Sequence, residues 1–563
     1  MSDALSRRRF MQAAVAAGTA VSATNLVAAS GPKKDSGTPG RDPNRKRAAF
    51  KSNLVLNDDG HVFLCLNDNL TKKDLQRYIQ SYCREGVGAI AYCVGDMTWP
   101  AFYPSRLVMH RSDVDYGGKL KAVRVNRNLE NFSQEKGGYF GTAFRIVREL
   151  GKKALASFRM NDAHLTSAAN KNASRFWQER KNMILGKQYG YYGGCLNYAF
   201  ELVRDHFKAL VKEFAELYPE IDGVELDAMR SPFFFPPDKG KECAPLFTGM
   251  VREIKEALHA QAKRLKRPDY LLTTNVPTDP EVALQSGLDV AAWDAEGLFD
   301  YVSTGPYQAY MNHPMDKWKQ VAKNGTPIYA YIGCSPQTGQ YLGLEEYRAA
   351  AANALAGGAD GIYLFNYPCL FELSSQVPHL PKDAGIELPD LRCFRQLDLS
   401  KAPQALDEIA SADRLRHKNK RFLFNWIKNI HYRHFAPEVA RLNRDDKEKG
   451  LEAVFRCYED YDRAKELTLR FKIENVARSE QFEISLNGKL ISAEQQRVLY
   501  AANGRDTRIH TVKLEPYSLC SLSLKPGQLK KGENTLSVRP AKLNPDLAGD
   551  IYLLEIELIV KYE

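Results

Sequence analysis

The stretch IDGVELDAMRSPFFFPP, residues 221–237, carries Glu225 and Asp227 two positions apart in an apolar run. Side chains alternate faces along a strand, so both acids go to one side and Val224 and Leu226 to the other. Buried carboxylates are costly unless they are paired or put to use. A structural ion pair with Arg230 is one outcome. Acid/base or nucleophilic work is the other. A carboxyl pair can split a glycosidic bond: one protonates the leaving oxygen, and its partner attacks the anomeric carbon or activates water. Two acids on one strand seldom form that pair. A partner for Asp227 is therefore expected from another strand, with Asp162, Asp96 and Glu372 as candidates, and Glu225 is expected one layer deeper.

A second cluster lies in SFRMNDAH, residues 157–164. Alternation points Ser157, Arg159 and Asn161 the same way, with Asp162 and His164 just beyond. An inward Arg159 beside Glu225 and Asp227 favours their ionised forms; a salt-bridge network with a helix cap from Asp162 is the structural alternative. Other expected strand ends add Asn67, Asp68, Asp96, Asn275, Tyr307 and Asn366, with Trp99 in the loop after Asp96. Each alone is a common helix cap. Together they make a polar ring, with Arg159, Asn161, His164, Asp96, Trp99, Asn275, Tyr307 and Asn366 as candidate substrate contacts. His164, His206 and His313 have no metal-ligand spacing, and no nucleophile-elbow or Cys/His pattern is present, so no metal or cofactor is expected. The loops are rich in rings, among them Trp99, Phe102, Tyr103, Trp177, Tyr192, Phe233, Phe234, Phe235 and Tyr310. Such rings either stack on sugar faces or anchor the loops.

These residues need a scaffold that brings strand ends together. Eight short apolar runs alternate with amphipathic stretches between residues 60 and 370: 61–68, 88–96, 153–162, 221–229, 270–276, 299–305, 327–334 and 358–368. FELVRDHFKALVKEFAELY and LFTGMVREIKEALHAQAKRL show the i, i+3, i+4 spacing of helices. Alternating strands and helices, with strands apolar throughout, predict a parallel sheet, and eight units predict an α/β (β/α)8 barrel over 49–435. Residues 375–435 are read as barrel-closing helices. From 436 to 563 the pattern alternates apolar and polar with turn signals. It predicts an accessory antiparallel β-sandwich of the jelly-roll kind.

The chain has 563 residues and a formal net charge of +11. Residues 1–47 hold nine Lys/Arg against three Asp, so the remainder is only mildly basic. That removes support for a nucleic-acid partner and leaves an anionic glycan compatible. Arg7-Arg8-Arg9-Phe10, a short Ala-rich apolar run and small residues match a twin-arginine signal over 1–30, followed by a Gly/Pro/Lys linker over 31–48. A periplasmic or secreted location is expected, without a membrane span. The ten cysteines form no CxxC pair, and Cys65, Cys93 and Cys334, in apolar strand-like runs, are expected to be small core residues.

The segments LNYAFELVRDHFKALVKEFAELYPEIDGVELDAMRSPFFF, SFRMNDAH, SRFWQER and GLDVAAWDAEGLFDYVSTG resemble bacterial glycosyl-hydrolase-like proteins related to glycoside hydrolase family ten. The resemblance covers about 60–370. It implies a barrel, a carbohydrate partner, Asp227 as a catalytic group, and Arg159, Asn161, Asp162 and His164 as site residues. The chain lacks that family's Asn-Glu acid/base pair at the end of strand four, which departs from the xylanase pattern. The expected activity is glycoside hydrolysis with Asp227, Glu225 and Asp162 as catalytic candidates. A non-catalytic polysaccharide-binding barrel and a uronic polysaccharide lyase are the alternatives.

Overall fold

The computed structural model describes residues 50, 52–60, 64, 69–108, 110–111, 120–163, 166, 173–306, 310–333, 342–368, 402–425, 439–446, 449–502 and 516–562. The expected signal and linker, Cys65, Cys334, His164, Tyr307, Asn67, Asp68 and Glu372 lie outside them. No helix among the described residues is long and apolar enough to cross a membrane.

Eight parallel strands close into a barrel. They are β1 (Leu54–Asp58), β2 (Ala89–Asp96), β3 (Lys153–Arg159), β4 (Gly223–Asp227), β5 (Leu271–Val276), β6 (Tyr301–Thr304), β7 (Ile328–Gly333) and β8 (Gly361–Phe365). The helices between them carry their apolar faces against the strands: Leu75 and Ile79 of Lys72–Tyr82 and Phe207, Val211 and Phe214 of Glu201–Leu217 are buried. A second set of apolar residues fills the inside, with Val55, Ala91 and Leu155 beside the rings of Tyr301, Tyr329, Tyr331, Tyr363 and Phe365. Tyr329 lies across Gly361, where a Cβ would stand 2.6 Å from its ring.

One strand differs from expectation. β1 is Leu54–Asp58, not 61–68. The run NLVLNDDG offers an equally apolar strand, and it pairs with β2 and β8 to close the barrel.

The C-terminal region is two antiparallel sheets. One runs β10 (Ala440–Leu442), β18 (Ile551–Lys561), β12 (Glu466–Glu474), β16 (Tyr517–Ser523), β15 (Gln496–Ala501). The other runs β11 (Leu451–Cys457), β17 (Gly532–Lys542), β13 (Gln481–Leu486), β14 (Lys489–Leu490). The expected boundary at 436 is too late. β9 (Lys420–Asn425) pairs with β18 and belongs to the first sheet, although its basic surroundings read as a closing helix. Its Phe422 and Leu423 are buried, and Arg421 pairs with Glu557 of β18, which is what a basic strand inside a sheet requires.

β11 is an edge strand, and the barrel caps its open side with two amides. Asn312 donates to Val454 O (3.0 Å) and accepts from Arg456 N (2.9 Å). Asn353, on the helix Leu344–Ala356, donates to Arg456 O (2.9 Å) and Met311 O (2.7 Å) and accepts from Tyr458 N (2.9 Å). An unpaired sheet edge is thereby satisfied by side chains. Replacing Asn353 by Ala strips partners from three backbone groups. Each orphaned buried group costs about 1–3 kcal/mol, so Asn353→Ala is expected to lower unfolding free energy by several kcal/mol in urea titration. An unchanged midpoint would show that water replaces the amide.

Candidate active site

The parallel register sets polar residues at matching heights around the C-terminal mouth. Asp96, Arg159, Asp227, Asn275 and Ser303 stand side by side on β2 to β6. One layer deeper, Cys93, Ser157, Glu225, Thr273 and Tyr301 form a second row. Asp96 joins the upper row because β2 shifts register between Cys93 and Gly95. Strict alternation from Cys93 would turn Gly95 inward and Asp96 outward; the bulge re-aims the carboxylate.

Arg159 ties the mouth together. Its guanidinium is ion-paired to Asp59, just past β1, and to Asp162 (3.2 Å), just past β3. It also lies 5.3 Å from the Trp99 ring centre. Arg230, past the end of β4, reaches the same Asp162 oxygen at 3.3 Å. Asp162 is fully buried between these two cations.

Asp227 closes β4 beside them. Its Oδ1 accepts the Met229 N–H at 3.0 Å. Burial raises its carboxyl above the ordinary range; Arg159, Arg230 and the Asn275 amide pull against that. Glu225 lies below it. One Glu225 oxygen accepts from Ser157 Oγ (2.7 Å) and Tyr363 OH (2.8 Å), while Oε2 is buried without a hydrogen-bond partner. Burial, helped by the charge of Asp227, pushes Glu225 up to about 8. Asn275 donates to Tyr363 OH (3.2 Å) and accepts from Ser303 Oγ, joining the two rows. Tyr363 was not read from the sequence. Its signal was available: in GIYLF it shares the inward parity of Phe365.

Two candidate contacts serve the loops. Asn161 donates to Leu196 O (2.9 Å) and Phe233 O (2.8 Å) and accepts from Leu196 N (2.8 Å), so its amide is spent on backbone. Asp96 accepts from Thr98 N and from Asp162 N (2.7 Å). Its burial and the neighbouring charge of Asp162 hold its carboxyl well above the ordinary range. Asn366 follows β8 in a left-handed conformation (φ 53°), which Asn tolerates, and its Oδ1 is buried with no hydrogen-bond partner. Asp59 was missed with β1 itself.

Most loop rings anchor the structure and do not wall the mouth. Phe102, Tyr103, Trp177, Phe234 and Phe235 are buried in the main core, and Trp177 Nε1 donates to Gly194 O (2.7 Å). Tyr192 stacks on Phe233 (4.1 Å) in a small cluster over the β3 and β4 loops. Trp99 is only partly buried.

No protein-family model and no curated protein matches the chain. Among solved structures, it is similar to an endo-beta-1,4-mannanase from Thermotoga petrophila, at 12% identity over 91% of this chain and 98% of that one, with TM-score 0.38. It is similar to an alpha-L-fucosidase from Bacteroides thetaiotaomicron, at 10% identity over 93% and 97%, with TM-score 0.37. A chitinase B catalytic domain from Arthrobacter TAD20 shares 12% identity over 56% and 91%, with TM-score 0.34. These neighbours are glycoside hydrolases in which family ten is not singled out. At such scores the chemistry has to be read from this chain's own residues.

Glu225 makes a pH prediction. Its carboxyl is raised from the usual 4.5 to about 8 in the folded protein, so the native state holds a proton that the unfolded chain releases. That contribution is full below about pH 4.5 and is lost as pH rises through 8. Glu225→Gln mimics the protonated form. It is expected to melt higher than wild type at pH 8, by up to about 4 kcal/mol, with the gap closing near pH 4.5. Parallel curves at all pH values would show that Glu225 ionises freely in the barrel.

Proposed function

We propose that the protein is an exported glycoside hydrolase that cleaves a poly- or oligosaccharide at the barrel mouth. The observation that carries the reading is Asp227: a buried carboxyl at the end of β4, set in the strand row between Arg159 and Asn275, with the buried carboxylate of Asp162 sharing its arginines. Burial favours the protonated form of Asp227, which suits protonation of a leaving glycosidic oxygen. Asp162 lies between two guanidiniums, which favours a carboxylate. It then attacks the anomeric carbon or stabilises the oxocarbenium charge. Glu225, one layer below, supports this pair instead of acting on substrate. Arg159 and Trp99 line the approach. The Arg7-Arg8-Arg9-Phe10 segment supports twin-arginine export to the periplasm or beyond.

The lyase alternative needs an arginine free to neutralise a uronate and a Tyr or His as base. Arg159 and Arg230 already face carboxylates, which favours hydrolysis.

The test is product analysis by mass over a panel of polysaccharides, with wild type beside Asp227→Asn. Hydrolytic products are expected from wild type, with the variant slower by about 10²–10⁴ while folded. Asp227→Ala adds a check on the role. An aryl glycoside whose leaving phenol needs no proton should keep most of its rate of bond cleavage, while natural glycans lose theirs. An Asp227→Asn enzyme as fast as wild type sinks the assignment. Glycan binding without turnover by either protein transfers the case to a binding barrel.

A further inference from the structure

We propose that this mouth takes a glycan of uncharged sugars and rejects uronic and sulfated ones, with Arg159 and Arg230 acting as internal counter-ions and not as anion receptors. The inference rests on the carbohydrate reading above.

The first support is the charge inventory. Asp59, Asp96, Asp162, Asp227 and Glu225 face two cations, Arg159 and Arg230, among the described residues of the two rows and their strand ends. Both guanidiniums are buried, at 2% and 6% side-chain exposure, and each already holds a carboxylate. With Asp96, Glu225 and Asp227 held toward their neutral forms by burial, Asp59 and Asp162 balance the two guanidiniums, so a uronate or sulfate brought here adds a negative charge that no further cation of these rows offsets, and it competes with Asp59 and Asp162 for the same donors. Like charge in a dry site costs several kcal/mol without a compensating cation.

The second support is independent of charge. Two buried amide oxygens on inward or rim positions have no hydrogen-bond partner: Asn57 Oδ1 on β1 and Asn366 Oδ1 after β8. Asn57 shares the inward parity of Val55, and its amide nitrogen is already used on Ala91 O (3.2 Å). Amide oxygens take donors. Sugar hydroxyls supply donors, whereas a carboxylate or sulfate supplies only acceptors. Unmet acceptors of this kind favour a hydroxyl over a carboxylate or sulfate at the position that meets them.

The experiment is calorimetric titration of the full chain with matched oligosaccharides: β-1,4-oligomannose against oligomannuronate, β-1,4-oligoglucose against oligoglucuronate, and an N-acetylated amino-sugar oligomer against its free-amine form. In some pair the neutral member is expected to bind at least about tenfold more tightly than its charged counterpart, equivalent to about 1.4 kcal/mol. Asp59→Asn is then measured on the same pairs. Releasing Arg159 from one carboxylate is expected to strengthen uronate binding by about tenfold at low salt, with the neutral member changing less. Wild type binding a uronic member more tightly than its neutral partner overturns the proposal, and this comparison decides even where Asp59→Asn fails to fold. A preference for the free-amine oligomer overturns it from the other side. A folded Asp59→Asn with unchanged uronate affinity overturns the counter-ion role. Binding of neither member of any pair removes the carbohydrate reading beneath it, whereas binding without turnover removes only hydrolysis.

Discussion

The mouth of this barrel depends on one buried guanidinium. Arg159 leaves β3 and meets Asp59 from the end of β1 and Asp162 from its own strand end, with Asp227 of β4 at its flank. Three segments distant in sequence therefore need the same positive charge. Removing it would leave several carboxylates in a dry site with only Arg230 to share. Breaking a buried pair from one side is far more damaging than never having built it. The arginine thus ties the end of β1, across β2, to the strand ends of β3 and β4.

Beneath that charge cluster the protein uses neutral groups. Ser157, Tyr363, Asn275 and Ser303 link the strand rows by hydroxyl and amide, and the tyrosine rings below exclude water. A protonated Glu225 fits such a layer because it has no cation at hand. The difference between Glu225 and Asp227 follows from two residues of strand, about 6–7 Å of height. The upper acid gains two guanidiniums and a backbone N–H; the lower one gains hydroxyls and an amide but no cation. Above them the loops are held from the strand ends. Asn161 binds the 196 and 233 backbones, Asp96 binds the chain at 98 and 162, and Tyr198 OH donates to Met160 O. These side chains fix the loops above the strand ends.

Much of this was legible in the sequence, for a physical reason. Strand periodicity and strand-helix alternation are local, and they located seven barrel strands along with the inward parity of Arg159, Glu225 and Asp227. What failed was non-local. Two apolar runs competed for β1, and only pairing with β8 selects NLVLNDD; Asp59 went with that choice. Asp96 was named for its place at a strand end, but its inward aim needs a bulge that alternation cannot foresee. Asn161 kept its parity and lost its expected role, because its partners come from loops dozens of residues away. Aromatic loops were ambiguous from the start, since a ring under a loop and a ring over a pocket have the same composition. β9 was misread because its lysine and arginine find buried acids, Glu459 and Glu557, that are distant in sequence.

The C-terminal sheets bear on the mouth through the loop that leaves β6. Met311 N donates to Leu423 O of β9 (2.9 Å), Asn312 holds the edge of β11, and Met311 O is held in turn by Asn353. Ser303, in the upper polar row, lies only a few residues before this anchor. The sandwich therefore fixes the chain on one side of the mouth, as Asn161 and Asp96 fix it on the other. A barrel strand end is rigid because both neighbours are bonded to it, but the loop beyond has no such neighbours. Docking that loop on a second domain supplies them. The C-terminal sheets are then part of what fixes the chain between β6 and β7.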